Sequence, residues 1–179
     1  MRDFITITFA AMLALSGAAL AAGGGGTGTS PAGLKCKKGE VVKEVVENGT
    51  KKKICVKANS GVLPDEELYQ QGRALAKEGH YDWALEVLAV IQNQNDPRVL
   101  NYVGYSHRKS GRLEIGISYY RKALVINPDF VLAREYLGEG YVASGRIDLA
   151  KAELAEIEKR CGTTCEEYED LSAAIAAAN

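Results

Sequence analysis

Histidine is almost absent, with His80 and His107 the two in 179 residues. Ser, His and Asp do not fall at the spacings of nucleophilic catalysis, no glycine-rich phosphate loop occurs, and no carboxylate pair stands out as acid and base. Charge of one sign is lacking as well. Twenty-two Lys and Arg against 23 Asp and Glu leave a formal net charge of −1, without the cationic excess that nucleic-acid binding draws on. Nor is there a long apolar run: Phe4 to Leu15, apolar apart from two threonines, falls short of the roughly 20 residues that span a bilayer.

That run fits a different use. A basic start at Met1-Arg2, the apolar stretch, and small residues at Ala19 and Ala21 make the three parts of a secretory signal peptide over residues 1–21. No Cys follows the small residues directly, so a lipid anchor is not expected. The chain is therefore expected to be exported, to the periplasm or beyond. Residues 22–33 hold glycines, two Thr and a Ser before Pro31-Ala32-Gly33; such a stretch buries no apolar surface and reads as a flexible linker.

Residues 34–58 change in kind. Val41-Val42 and Val45-Val46 are β-branched, Asn48-Gly49 supplies the two positive-φ positions of a type I′ turn, and Lys51 to Val56 returns. A two-residue turn there sets Val41 opposite Val56 and Val42 opposite Cys55, and gathers Val41, Val45, Ile54 and Val56 on one face. A lone hairpin is marginal in water, and a Cys36–Cys55 bridge can staple it, worth about 3 kcal/mol by the loop-entropy model. The segment has eight Lys against three Glu, a net +5, whereas residues 65–179 carry a net −6. Two readings stand: the opposite charges dock hairpin and remainder together, or the basic hairpin makes a weak contact with an anionic envelope surface.

From Pro64-Asp65 onward the apolar period is helical. Pro64 and the carboxylates of Asp65, Glu66 and Glu67 mark a helix start, and seven helices are expected at 65–77, 81–93, 97–109, 113–125, 130–143, 147–160 and 165–177, with Gly79, Gly111 and Gly145 turning left-handed after the odd-numbered ones. Trp83, on an outward helix, is expected beneath the hairpin, His107 at a packed position and His80 in the open. The array also repeats itself. Gly104, Gly111, Gly116, Ala123 and Pro128 are answered 34 residues on by Gly138, Gly145, Ala150, Ile157 and Gly162, and four of them 32 residues back by Gly72, Gly79, Ala84 and Ile91. A fixed period of this length is the mark of stacked helix-turn-helix units.

With Leu100, Gly104, Gly111, Leu113, Gly116, Tyr120, Ala123 and Pro128 at its large, small and Pro positions, the unit 97–130 resembles the tetratricopeptide repeat (TPR) family. Units 65–96, two residues short, and 131–164 fit through Leu68, Gly72, Tyr81, Ala84 and through Leu137, Gly138, Tyr141, Ala150. Arg134 at a Trp-like position, Gly116 for the usual Ala, and His107 at a Tyr-like site depart from the pattern. The resemblance implies an all-α solenoid of three units with a capping helix at 165–177, preceded by the hairpin, and a place among small exported bacterial repeat proteins. It implies a non-enzymatic scaffold whose concave groove, lined by the first helix of each unit, binds an extended protein or peptide segment. The groove positions are Tyr69, Arg73, Asn101, Tyr102, Tyr105, Arg108, Tyr136 and Glu139, with Gln70, Lys77, Lys109 and Glu135 alongside; Tyr and Arg are the types that dominate binding hot spots. The Lys and Asn of the family's two-carboxylate clamp are replaced by Tyr69, Arg73, Tyr102, Leu132 and Tyr136, so that ligand is not expected.

Two readings compete with the scaffold: a structural envelope protein that contacts an anionic surface through its basic hairpin, and a thiol-disulfide oxidoreductase using Cys161 and Cys165, with the Cys165 thiolate at a helix start. As a staple, the same pair joins the sixth helix to the cap, with Thr163 or Thr164 capping the last helix. Four cysteines in an exported chain favour two disulfides, although the sequence leaves three pairings open. No metal or cofactor is expected, because the two histidines lie in different units and Cys-x3-Cys alone is a poor zinc set.

Overall fold

In the computed structural model, residues 34–178 are described. The signal peptide and linker expected at residues 1–33 lie outside them. Two antiparallel strands, β1 (Glu40–Glu47) and β2 (Thr50–Lys57), lead through a 3-10 turn at Ala58–Ser60 into α1 (Asp65–Lys77), α2 (Tyr81–Leu88), α3 (Pro97–Lys109), α4 (Leu113–Ile126), α5 (Val131–Ala143), α6 (Ile147–Cys161) and α7 (Glu166–Ala177). The helices form an all-α solenoid of three antiparallel pairs, α1/α2, α3/α4 and α5/α6, with α7 packed on α5 and α6. Among the described residues no helix is long and apolar enough to cross a membrane.

The repeated glycines act as read from the sequence. Gly79, Gly111 and Gly145 have φ of 86°, 87° and 73°, and the residue after each sends its N–H back five residues, His80 to Leu75, Arg112 to His107 and Arg146 to Tyr141, at 2.8–2.9 Å. These are three copies of one helix end, in which the reversed residue lets two orphan carbonyls find donors. Asp96 caps α3, its carboxylate accepting from the Arg98 N–H at 2.8 Å, with Pro97 in the first turn.

Small residues set how closely each pair packs. A Cβ on Gly116 would lie 2.8 Å from the Gly104 carbonyl and 2.9 Å from the Arg108 Cβ, so Ala, the usual residue of the pattern, does not fit here. Toward the C-terminus the solenoid is closed by Leu171 of α7, fully buried over Gly138 of α5. Burying such a side chain contributes about 1.5–3 kcal/mol.

The hairpin has the expected register, Val41 opposite Val56 and Val42 opposite Cys55, turning on Asn48 and Gly49 at φ of 52° and 75°. Its burial differs from the expected one-faced pattern. Val41 and Val42 are both buried, whereas Ile54 is 40% and Val46 68% exposed: the hairpin is buried at its base, on α1 and α2, and projects beyond them. The Gln71 side chain explains this. Its amide pairs with both backbone groups of Val42, accepting from N–H at 2.6 Å and donating to C=O at 2.8 Å. Trp83, buried as expected, donates to the Glu40 carbonyl at 3.0 Å, and a Cys36–Cys55 disulfide closes the base.

The helices keep the expected spans to within one residue, except that α2 is shorter. α2 stops at Leu88 rather than running to 93, because Gln94 turns its amide onto the Leu88 and Ile91 carbonyls while the Asp65 carboxylate takes the Gln92 and Asn93 N–H groups at 3.0 and 3.1 Å. This strapped loop is what makes the first unit two residues short. α7 begins at Glu166 with Cys165 before it and no side-chain cap, so neither Thr163 nor Thr164 caps it. His107 is half-buried, its Nδ1 accepting from Arg112 Nε at 2.8 Å, and burial lowers its pKa; His80 is half-buried beside Trp83 rather than open.

Gly116→Ala is expected to lower stability by about 1–3 kcal/mol through overpacking, despite the gain of about 1 kcal/mol in helix propensity. Urea unfolding checks this as a lower midpoint at unchanged slope.

Candidate binding cleft

The first helix of each pair turns one face to the inner surface. Arg73 and Lys77, four residues apart on α1, Tyr102, Tyr105 and Lys109 on α3, and Leu132, Glu135, Tyr136 and Glu139 on α5 line a cleft of about 370 Å³. The fourth wall is the first turns of α7, with Glu166, Glu167 and Asp170.

Tyrosines run through this surface. The Tyr102 ring lies 6.0 Å from Tyr69 and 6.0 Å from Tyr105, Tyr105 is 5.1 Å from Tyr136, and Tyr136 is 6.0 Å from Tyr120, separations at which edge and tilted pairs attract. Cations sit over the rings. Arg73 lies 5.6 Å over Tyr102 and donates to its hydroxyl at 3.0 Å; Lys77 lies over Tyr105 and Tyr136 and donates to the Tyr136 hydroxyl at 2.9 Å; Lys109 lies 5.8 Å over Tyr105. Burial raises the pKa of Tyr105, Tyr120 and Tyr136, and pushes Tyr69 up to about 12, so these hydroxyls stay neutral in water near pH 7.

Of the eight groove residues named from the sequence, the structure brings Arg73, Tyr102, Tyr105, Tyr136 and Glu139 to the cleft. The other three lie elsewhere. Tyr69 is covered by the Arg98 guanidinium at 4.6 Å, itself held by Asp96 and Glu66. Arg108 lies beneath the surface, with 9% of its side chain exposed, paired with Glu139 and donating to the Tyr120 hydroxyl at 3.2 Å; it buttresses the rings instead of reaching out. Asn101 is fully buried, and neither its Oδ1 nor its Nδ2 has a hydrogen-bond partner among the described residues.

The walls carry opposite charge. Arg73, Lys77 and Lys109 stand on α1 and α3, and the carboxyls stand on α5 and α7. Sequence reading does not find the α7 acids, since nothing local shows that α7 folds back onto α5. The signal that could have found them is the Cys161–Cys165 disulfide, which fixes the turn between α6 and α7. Glu135 is the outlier of the set. It is 5% exposed, and burial first, then the nearby Glu139, Asp170 and Glu167, pushes its pKa from the usual 4.5 up to about 8, against the pull of Lys77.

The four cysteines are all paired. Among the described residues, the potential metal ligands that come within 4.8 Å of one another are Cys161, Cys165 and Glu167; with the two sulfurs bonded to each other, this is not a ligand set.

An acid whose pKa rises on folding holds its proton more tightly in the native state, so its contribution falls as pH climbs from about 4.5 to 8 and is flat above. Glu135→Gln removes that loss. The variant is expected to match the wild type near pH 4.5 and to gain on it by up to about 1.4 kcal/mol per pH unit, reaching a plateau of a few kcal/mol above pH 8. Urea unfolding of both proteins across pH 4.5–9 checks this.

No family model matches the sequence, and no curated protein matches it. Solved structures do. The first TPR domain of human RPAP3 has a TM-score of 0.55 at 17% identity, covering 64% of this chain and 94% of that one. The first TPR of Spaghetti (RPAP3), bound to the HSP90 peptide SRMEEVD, has a TM-score of 0.55 at 16% identity over 63% of this chain and 91% of that one. The type III secretion chaperone SycD of Yersinia enterocolitica, in complex with a peptide of the translocator YopD, has a TM-score of 0.55 at 18% identity over 66% of this chain and 93% of that one. Likeness at such identities is likeness of fold: with its three helix pairs, its capping helix and its repeated glycine turns, the chain has the tetratricopeptide-repeat fold.

Proposed function

We propose that this chain is a non-enzymatic scaffold that binds an extended segment of a protein partner in the cleft formed by α1, α3, α5 and α7. The observation that carries the reading is the lining itself: tyrosine rings held in place by neighbouring cations, beside carboxyls of which Glu135 has no ion-pair or hydrogen-bond partner among the described residues. Pre-placed aromatics and charges lose little freedom on binding and give contact area together with direction. Two proteins of the same fold hold peptides in their structures, an HSP90 peptide in one and a YopD peptide in the other, and we extend that mode of use to this chain.

We propose further that it acts outside the cytoplasm, in the periplasm or envelope of a bacterium. The support is the pairing of all four cysteines, which suits an oxidising compartment. The buried hairpin base and the α6–α7 turn are then places where a disulfide holds a part of the molecule that a short solenoid holds poorly on its own.

A photoreactive phenylalanine at Leu132, half-buried in the cleft, is expected to cross-link a discrete partner in extracts of producing cells, whereas one at Val125, 82% exposed and outside the cleft, does not. Arg73→Glu combined with Lys77→Glu is expected to reduce that cross-link about tenfold. Equal labelling from both positions would contradict the proposal.

A further inference from the structure

The acidic wall of the cleft holds a carboxyl that no other described residue partners. Glu135 is more than nine-tenths buried, lines the cleft, and takes part in no hydrogen bond or ion pair among the described residues. Its neighbours do not supply a donor. On its own helix Glu139 is engaged by Arg108; from α7 Glu167 and Asp170 face Glu135; and the Lys77 ammonium across the cleft is turned to the Tyr136 hydroxyl and forms no ion pair with Glu135. Burying such a group unpartnered costs stability, and the cost is offset when a donor arrives from outside.

The surroundings narrow the donor's chemistry. An anion is refused by the carboxyls. A divalent metal needs several oxygens converging on one point, and no three carboxylates of this wall approach one another within 4.8 Å. A side chain with an apolar stem and a cationic head fits instead: the stem has Leu132 and the Tyr136 ring to lie on, and the head has Glu135. We propose that the cleft takes a lysine or arginine side chain of an extended partner segment, with its cationic head on Glu135. This rests on the peptide-binding reading above. The opposite wall sets a further condition. Arg73, Lys77 and Lys109 repel a uniformly basic segment, so the recognised residue is a single Lys or Arg flanked by neutral or acidic neighbours.

The test uses the full chain and capped nine-residue peptides of Ser, Gly and Tyr with Lys, Arg, Gln or Glu at the centre, titrated by calorimetry at pH 6 to 9 in buffers of different ionisation enthalpy. The Lys and Arg peptides are expected to bind about tenfold or more tighter than the Gln peptide. The cation binds ionised Glu135, which in the free protein is largely protonated at pH 7; binding therefore releases close to one proton there. Affinity rises with pH, by at most about tenfold per unit, and levels off above about 8. Glu135→Gln keeps the shape of the protonated acid and is expected to abolish the difference between the Lys and Gln peptides, without proton release. Glu167→Gln with Asp170→Asn, the first half-buried and the second exposed, weakens the Lys peptide a few-fold and serves as the second arm.

Equal binding of the Lys and Gln peptides, a Lys preference that survives Glu135→Gln, or tightest binding of the Glu peptide would each overturn the cationic ligand while leaving peptide binding in place. Absence of binding by every peptide would overturn both.

Discussion

Close approach of paired helices at small residues is the constraint on which the molecule depends. Gly104 and Gly116 face each other so tightly that a single added methyl meets the partner backbone, and this contact fixes how α3 lies on α4. The curvature of the stack follows, because each pair repeats the same turn and packs its first helix on the next. Curvature in turn brings Tyr105 of α3, itself beside Tyr102, against Tyr136 of α5. The rings form a continuous inner surface only because the helices behind them are held at short range.

The polar side of that surface is built at a cost to folding. Asn101, beneath the cleft, is buried with its amide unpaired among the described residues, and Glu135 is buried among other carboxyls. Each works against stability. The ends of the solenoid compensate. A hairpin base pinned by Gln71, Trp83 and the Cys36–Cys55 bridge covers α1 and α2, and α7 covers α5 with Leu171 while a second disulfide holds its entry turn. That same entry turn sets Glu166, Glu167 and Asp170 opposite Arg73, Lys77 and Lys109, so the cap that completes the fold also completes the cleft and gives it one wall of each sign.

Much of this was legible in the chain. Glycines at a fixed period specify a backbone conformation that other residues rarely adopt, so the helix ends at 79, 111 and 145 could be read directly, as could the Asn48-Gly49 turn that sets the hairpin register. What escaped reading depends on partners far along the sequence. The early end of α2 at Leu88 requires Asp65, more than twenty residues back, to claim the loop's N–H groups. The burial of Val42 requires Gln71 to take the place of a third strand. Arg108 has the spacing of a groove residue and is drawn under the rings by Tyr120 and Glu139, and the acidic wall exists only once α7 has folded back. Periodicity shows which face of a helix points inward. It does not show which inward side chains neutralise one another.

The protonation of Glu135 tests the account most directly, since it depends at once on the curvature, the closure by α7 and the want of a donor among the described residues. Carbon-detected NMR of the Glu135 side-chain carboxyl, followed across pH 3 to 10 in the free protein, is predicted to titrate near 8. Titration near 4.5 would contradict it, for the carboxyl would then be solvated or already paired, and the cleft would not be the desolvated, donor-seeking site described.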